Sequence, residues 1–70
     1  MVEVKAQMAG SIFEVKVKVG DVVETGQIVV ILESMKMEIP VEVERAGVVS
    51  AVLKVEGDFV NEDETLIVLT

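Results

Sequence analysis

A single lysine between two methionines, Met35-Lys36-Met37, is the one place in this chain where residue types and spacing suggest chemistry. A lysine amine is a nucleophile once it has lost its proton, and so a candidate site of modification. The two methionines add flexible, polarizable surface of the kind found where several partners must recognise one spot. Hairpin tips normally carry Gly, Asn, Asp or Pro, whose backbone preferences suit a tight turn. Neither methionine has that reason to be there. An exposed hairpin lysine ordinarily serves solubility, yet that role does not require apolar neighbours in water. The residues alone leave two open readings of Lys36, a docking or modification site and a solvating charge.

The rest of the composition removes the usual catalysts. The chain has no cysteine, so a disulfide framework, thiolate zinc sites and thiol catalysis are excluded. It has no histidine, which removes the commonest general base and metal ligand. Its 70 residues make one small domain, 1–70, of a size that buries only about 60% of its unfolded surface. Thirteen acidic residues against six basic ones give a net charge of −7, which disfavours nucleic acid. The longest apolar run, Ile28–Leu32, is five residues, far short of the ~20 of a membrane helix. "MVEVKAQMAG" places Glu3 and Lys5 where a secretion signal needs an apolar core. These absences point to a reducing cytoplasm and to no membrane.

The elements that must position Lys36 emerge from a duplication. Shifted by 37 positions, residues 2–33 fall on residues 39–70 with eight identities in 32 pairs. Gly20-Asp21 falls on Gly57-Asp58 and Ala9-Gly10 on Ala46-Gly47. Such dipeptides punctuate chains and fix turns. Every apolar run is short and rich in Val and Ile, and no window keeps a helical period, so the segments read as strands. Each half supplies three strong strands and one short one, about eight in all. Halves this small cannot bury a core alone. Packed together they form a flattened barrel or sandwich of two four-stranded antiparallel sheets with approximate two-fold symmetry. One feature breaks the symmetry. Phe13, Val15, Val17 and Val19 alternate in one half, while Val49, Ala51, Leu53 and Val55 alternate in the other, in opposite phase under the shift. A β-bulge would reconcile them.

Apart from Met1, only residues 34–38 lie outside the duplication, and Lys36 is their midpoint. Ile28–Leu32 reads as a strand before it. Met37, Ile39, Val41 and Val43, alternating with Glu38, Pro40, Glu42 and Glu44, read as a half-wet strand after it. So short a gap makes a hairpin with Lys36 at its turn, its side chain in water. Other apparent signals have plainer readings. The Gly-Asp pairs are turns in which Asp21 and Asp58 act as caps, since no helix follows to bind a phosphate. The run 61–64, "NEDE", lacks calcium-loop spacing and reads as a solvated turn.

The stretch "GDVVETGQIVVILESMKMEIPV" resembles the attachment region of biotinyl domains, the biotin carboxyl carrier domains of biotin-dependent carboxylases. Gly20, Asp21, Val23, Gly26, Gln27, Glu33, Met35, Lys36 and Met37 match that pattern at its spacing, and "AGVVSAVLKVEGDFV" resembles the closing strands. Ser34 departs from it, standing where the family usually has alanine. The loop inserted in some bacterial carrier domains is missing.

The resemblance implies that a biotin protein ligase joins biotin to the Lys36 amine through an amide, with Met35 and Met37 as flanking recognition residues. A lysine amine in water is protonated at neutral pH, so the ligase must supply the base. It further implies a swinging arm that carries carboxyl groups between a biotin carboxylase and a carboxyltransferase. The domain would be a non-enzymatic carrier, a monomer in isolation. The nearest alternative is a lipoyl domain bearing lipoate for a 2-oxoacid dehydrogenase-type system, although lipoyl hairpins typically read Asp-Lys-Ala. An unmodified lipoyl-like interaction module is a further alternative.

Overall fold

A computed structural model describes all residues, 1–70. Eight strands run in chain order: β1 (Val2–Lys5), β2 (Gly10–Val15), β3 (Val22–Val23), β4 (Ile28–Ser34), β5 (Met37–Glu42), β6 (Gly47–Val52), β7 (Phe59–Val60) and β8 (Thr65–Leu69). They form two antiparallel four-stranded sheets, ordered β1-β8-β6-β3 and β5-β4-β2-β7. The 37-residue shift carries one order into the other, because β5, β4, β2 and β7 are the repeats of β1, β8, β6 and β3. Each sheet therefore mixes strands from both halves. No helix is long and apolar enough to cross a membrane.

Short Val- and Ile-rich segments become strands because β-branched side chains pack well on a pleated, half-buried surface. Their inward faces meet in a core of 15 residues, all Val, Ile, Leu or Ala, including Ile12, Leu32, Val49, Leu66 and Leu69. No polar or charged residue is buried. The core contains neither phenylalanine nor any methionine.

The halves clasp through their Gly-Asp turns. Gly20 N–H donates to the Val49 carbonyl (2.8 Å) and Gly57 N–H to the Ile12 carbonyl (2.9 Å). Ile12 N–H donates to the Asp58 carbonyl (2.7 Å) and Val49 N–H to the Asp21 carbonyl (2.9 Å). Gly20 and Gly57 hold φ of 97° and 94°, which only glycine adopts freely. Asp21 and Asp58 accept hydrogen bonds from Lys18 N–H and Val55 N–H, both 2.9 Å, and so cap their turns as expected.

Two expectations from sequence are corrected here. The pairing of β2 with β4 slips between Ile12 and Glu14, and that of β6 with β8 slips between Val49 and Ala51. The bulge thus occurs in both halves at equivalent positions, so the phases agree after all. Ile12 and Val49 point inward, while Phe13, Val19, Leu53 and Val55 are exposed. The repeated Ala-Gly, read as a turn, is instead a point of close approach. A Cβ built on Gly10 would lie 2.7 Å from the Glu33 carbonyl oxygen, and one on Gly47 would lie 3.0 Å from that of Thr70. A side chain there would force the neighbouring strand away.

Candidate functional site

β4 and β5 pair from Ile28–Glu42 up to Ser34–Met37, which leaves Met35 and Lys36 as a two-residue connection. Both lie in the left-handed region, with φ of 53° and 64°. A two-residue hairpin loop with both central φ values positive is the type I′ turn, whose twist suits the flanking strands and whose usual occupants are Asn-Gly. L-residues with Cβ atoms meet steric resistance in that region, of about 1 kcal/mol or more each. The turn therefore holds two residues that local backbone energetics would not select.

Lys36 is exposed, forms no ion pair and makes no side-chain hydrogen bond. Met35 is 90% and Met37 62% exposed. The structure thus brings all three residues singled out from sequence to one protruding turn. Nothing packs against the amine, so it is accessible to any enzyme that recognises the loop. No base stands beside it to remove its proton.

Below the turn the geometry is firmer. Gly10 of β2 lies under β4, and its missing side chain lets Ser34 approach, with the Ser34 Cβ 3.4 Å from where a Gly10 Cβ would sit. Ser34 is half-buried, so its hydroxyl is tolerated at the hairpin base. Sequence reasoning missed Gly10 as a support of the site. The signal was present, since Ala-Gly recurs at the same place in each half. Pro40 occupies β5, an edge strand, where a missing N–H costs no ladder bond.

A groove of about 440 Å³ runs between the edge strands β1 and β5, with Glu3, Lys5, Glu42, Glu44, Glu62 and Asp63 along it. No three of its acids come together as a metal site. The run 61–64 is a turn, as expected, with Asn61 N–H donating to Glu64 Oε1 at 2.8 Å.

The family model described as "Biotin-requiring enzyme", for biotin and lipoyl domains, matches residues 2–69. The chain belongs to the biotin/lipoyl family. It is 57% identical to a biotin/lipoyl attachment protein of Bacillus subtilis, over 96% of this chain and 92% of that protein. It is 44% identical to a biotin carboxyl carrier protein of Streptococcus mutans, over 91% of this chain and 49% of that one. Among solved structures it superposes on a urea carboxylase of Kluyveromyces lactis with a TM-score of 0.92 at 30% identity, covering 99% of this chain and 6% of the enzyme. The lipoyl domain of a 2-oxoglutarate dehydrogenase complex from Azotobacter vinelandii gives a TM-score of 0.81 at 29% identity, covering 100% of this chain and 96% of that domain. A segment of a carboxylase and a lipoyl domain thus share this flattened barrel.

Proposed function

We propose that Lys36 is the amine that receives biotin in this carrier domain, and that Met35 and Met37 mark it for the enzymes that must find it. One observation carries the reading: an unpaired, exposed lysine occupies a strained two-residue turn where Asn-Gly would be the easier choice. The domain is a carrier, not an enzyme. Its partners are carboxylase components, and a biotin protein ligase loads it. The domain works as a monomer in the cytoplasm.

The chemistry divides cleanly between chain and partners. The ligase takes a proton from the Lys36 ammonium, and the free Nζ attacks the acyl carbon of biotinyl-adenylate, losing its second proton to solvent as the amide forms. The C–N amide bond forms, the acyl–phosphate bond breaks, and AMP departs. Bound biotin supplies a ureido nitrogen that holds a carboxyl group between two partner sites. This chain supplies a rigid barrel, a protruding turn and a single marked lysine among five, the others being Lys5, Lys16, Lys18 and Lys54.

The test is intact mass after co-expression with a biotin ligase, followed by peptide mapping. One biotinyl addition on the peptide containing Lys36 is expected. Lys36→Arg should abolish it and leave the melting curve unchanged. Label retained on that variant, or a lipoyl mass in place of biotin, would refute the assignment.

A further inference from the structure

We propose that the outer face of the β5-β4-β2-β7 sheet, centred on Phe13 and Phe59, is the surface on which a biotin protein ligase seats this domain. The inference rests on the assignment of Lys36 and identifies residues that would select the enzyme.

The duplication supplies an internal control. Outward positions of one sheet have counterparts 37 residues away in the equivalent strands of the other, or, for Glu33 and Glu38, at Thr70 and Met1 just beyond the strand ends. The demands of folding fall alike on both, so a systematic difference between the faces reports something other than folding. Phe13 corresponds to Ser50, Phe59 to Val22, Ile31 to Val68 and Pro40 to Glu3. The only two aromatic residues of the chain thus lie on the sheet that carries Lys36, and they are 47% and 64% exposed. Charge divides the same way, with Glu3 opposite Pro40 as the exception: Glu33, Glu38 and Glu42 correspond to Thr70, Met1 and Lys5. The hairpin-bearing face is aromatic with an acidic rim. The opposite face has valines and a serine in its place.

Position selects the occupant. Phe59 pairs with Ser11, Ser11 with Glu33, and Glu33 with Glu38, in a single row behind the Ser34–Met37 pair that closes the turn. At about 4.8 Å between strands, Phe59 lies roughly 10 Å across the sheet from β4, level with the base of the turn. Amide formation requires the Lys36 Nζ itself to reach the activated acyl carbon. The ligase must therefore close over the turn and over the row directly behind it. A carboxylase component acts on the ureido ring at the far end of the extended arm. Exposed aromatics at the centre of a patch with charges around it have the make-up of a binding hot spot. The ligase surface that fits is an apolar depression flanked by arginine or lysine.

Ligation kinetics with a bacterial biotin protein ligase, biotin and ATP test this, with intact mass as readout. The Phe13→Ser/Phe59→Val double variant borrows the residues of the opposite sheet, so both suit their backbone positions; Phe59→Val alone provides a milder second case. The KM for the domain should rise about 10-fold or more in the double variant, with kcat within about two-fold and the melting curve preserved. The reciprocal Ser50→Phe/Val22→Phe variant should ligate like the parent. An unchanged KM in the Phe variants, or an equal rise in the reciprocal one, overturns the proposal. So does a defect confined to carboxylation of the already biotinylated domain by a biotin carboxylase, which would assign the face to that enzyme. A parent chain that gains no biotin at Lys36 would instead fail the assignment beneath it, and is recognised by mass before any variant is compared.

Discussion

The two Gly-Asp turns and the Met35-Lys36 turn all reverse the chain, but with different residues. At Gly20-Asp21 and Gly57-Asp58, glycine takes the positive φ and the aspartate carboxylate caps a backbone N–H, in the same geometry twice. At Met35-Lys36 there is no glycine, no cap, and two positive φ values on residues with side chains. The first kind of turn uses the residues its backbone asks for. The second does not, and the departure marks the place where selection acted on something besides the fold. The contrast extends beneath the turns. The Gly-Asp turns are clasped by hydrogen bonds from the other half, whereas the Met-Lys turn projects freely and depends on its base.

That base gives the largest effect by which the contrast can be broken. Gly10→Ala places a Cβ 2.7 Å from a backbone oxygen of β4, which cannot yield as a flexible side chain would. It should destabilise the domain by about 1–3 kcal/mol, a fall of roughly 4–8 °C in Tm per kcal/mol for a domain of this size. Gly47→Ala meets its carbonyl at 3.0 Å, beyond the end of β8, and should cost distinctly less. Thermal melts of the two variants decide the matter. Equal losses would mean that the hairpin base is no tighter than its duplicate.

Next comes the turn itself. Replacing Met35→Asn and Lys36→Gly together installs the residues preferred in a type I′ loop. Stability should rise by about 1–2 kcal/mol as the strain of two L-residues is relieved, while biotin acceptance is lost entirely. Chemical denaturation and intact mass read the two consequences separately. A variant no more stable than the parent would show that the turn stores no strain, and would remove the main structural reason for treating Lys36 as special.

Much of this architecture was legible in the sequence because duplication and alternation are periodic signals. Gly20-Asp21 repeating as Gly57-Asp58 announced two equivalent turns, and short Val-rich runs announced strands. The five unduplicated residues located the link that bears Lys36. The bulges were harder to read. They break the two-residue period on which strand reading depends, so Phe13 looked as if it shared a face with the inward Val17 when it lies outside. Gly10 was misread for a related reason. A glycine that permits close approach and a glycine that permits a turn are the same letter, and only the neighbour across the sheet tells them apart. The significance of Phe13 and Phe59 also needed the fold, since only sheet order reveals that both belong to the face behind Lys36.

The smallest effect concerns equivalent turns that accept the same backbone hydrogen bond on a neutral side chain in one half and on a charged one in the other. Glu24 N–H donates to Gln27 Oε1 (3.0 Å) in the first half, and Asn61 N–H donates to Glu64 Oε1 (2.8 Å) in the second. Glu64 is ionised and also paired with the Lys54 ammonium. The hydrogen bond from Lys54, reinforced by that from Asn61, holds its carboxyl below the ordinary value of 4.5. A carboxylate whose folded-state pKa is depressed contributes stability that is present above the unfolded value and lost as pH falls through the folded one. Glu64→Gln copies the first half and removes this contribution while keeping a side-chain oxygen to accept from Asn61 N–H. The variant should melt slightly below the parent at pH 7, by less than either effect above because the pair is solvent-facing. The gap should close as pH drops below 4.5 and the parent's carboxylate gains its proton. Paired melts at neutral and acid pH check the sign. A gap that widened in acid would mean that the carboxylate is not the favoured form in the folded turn.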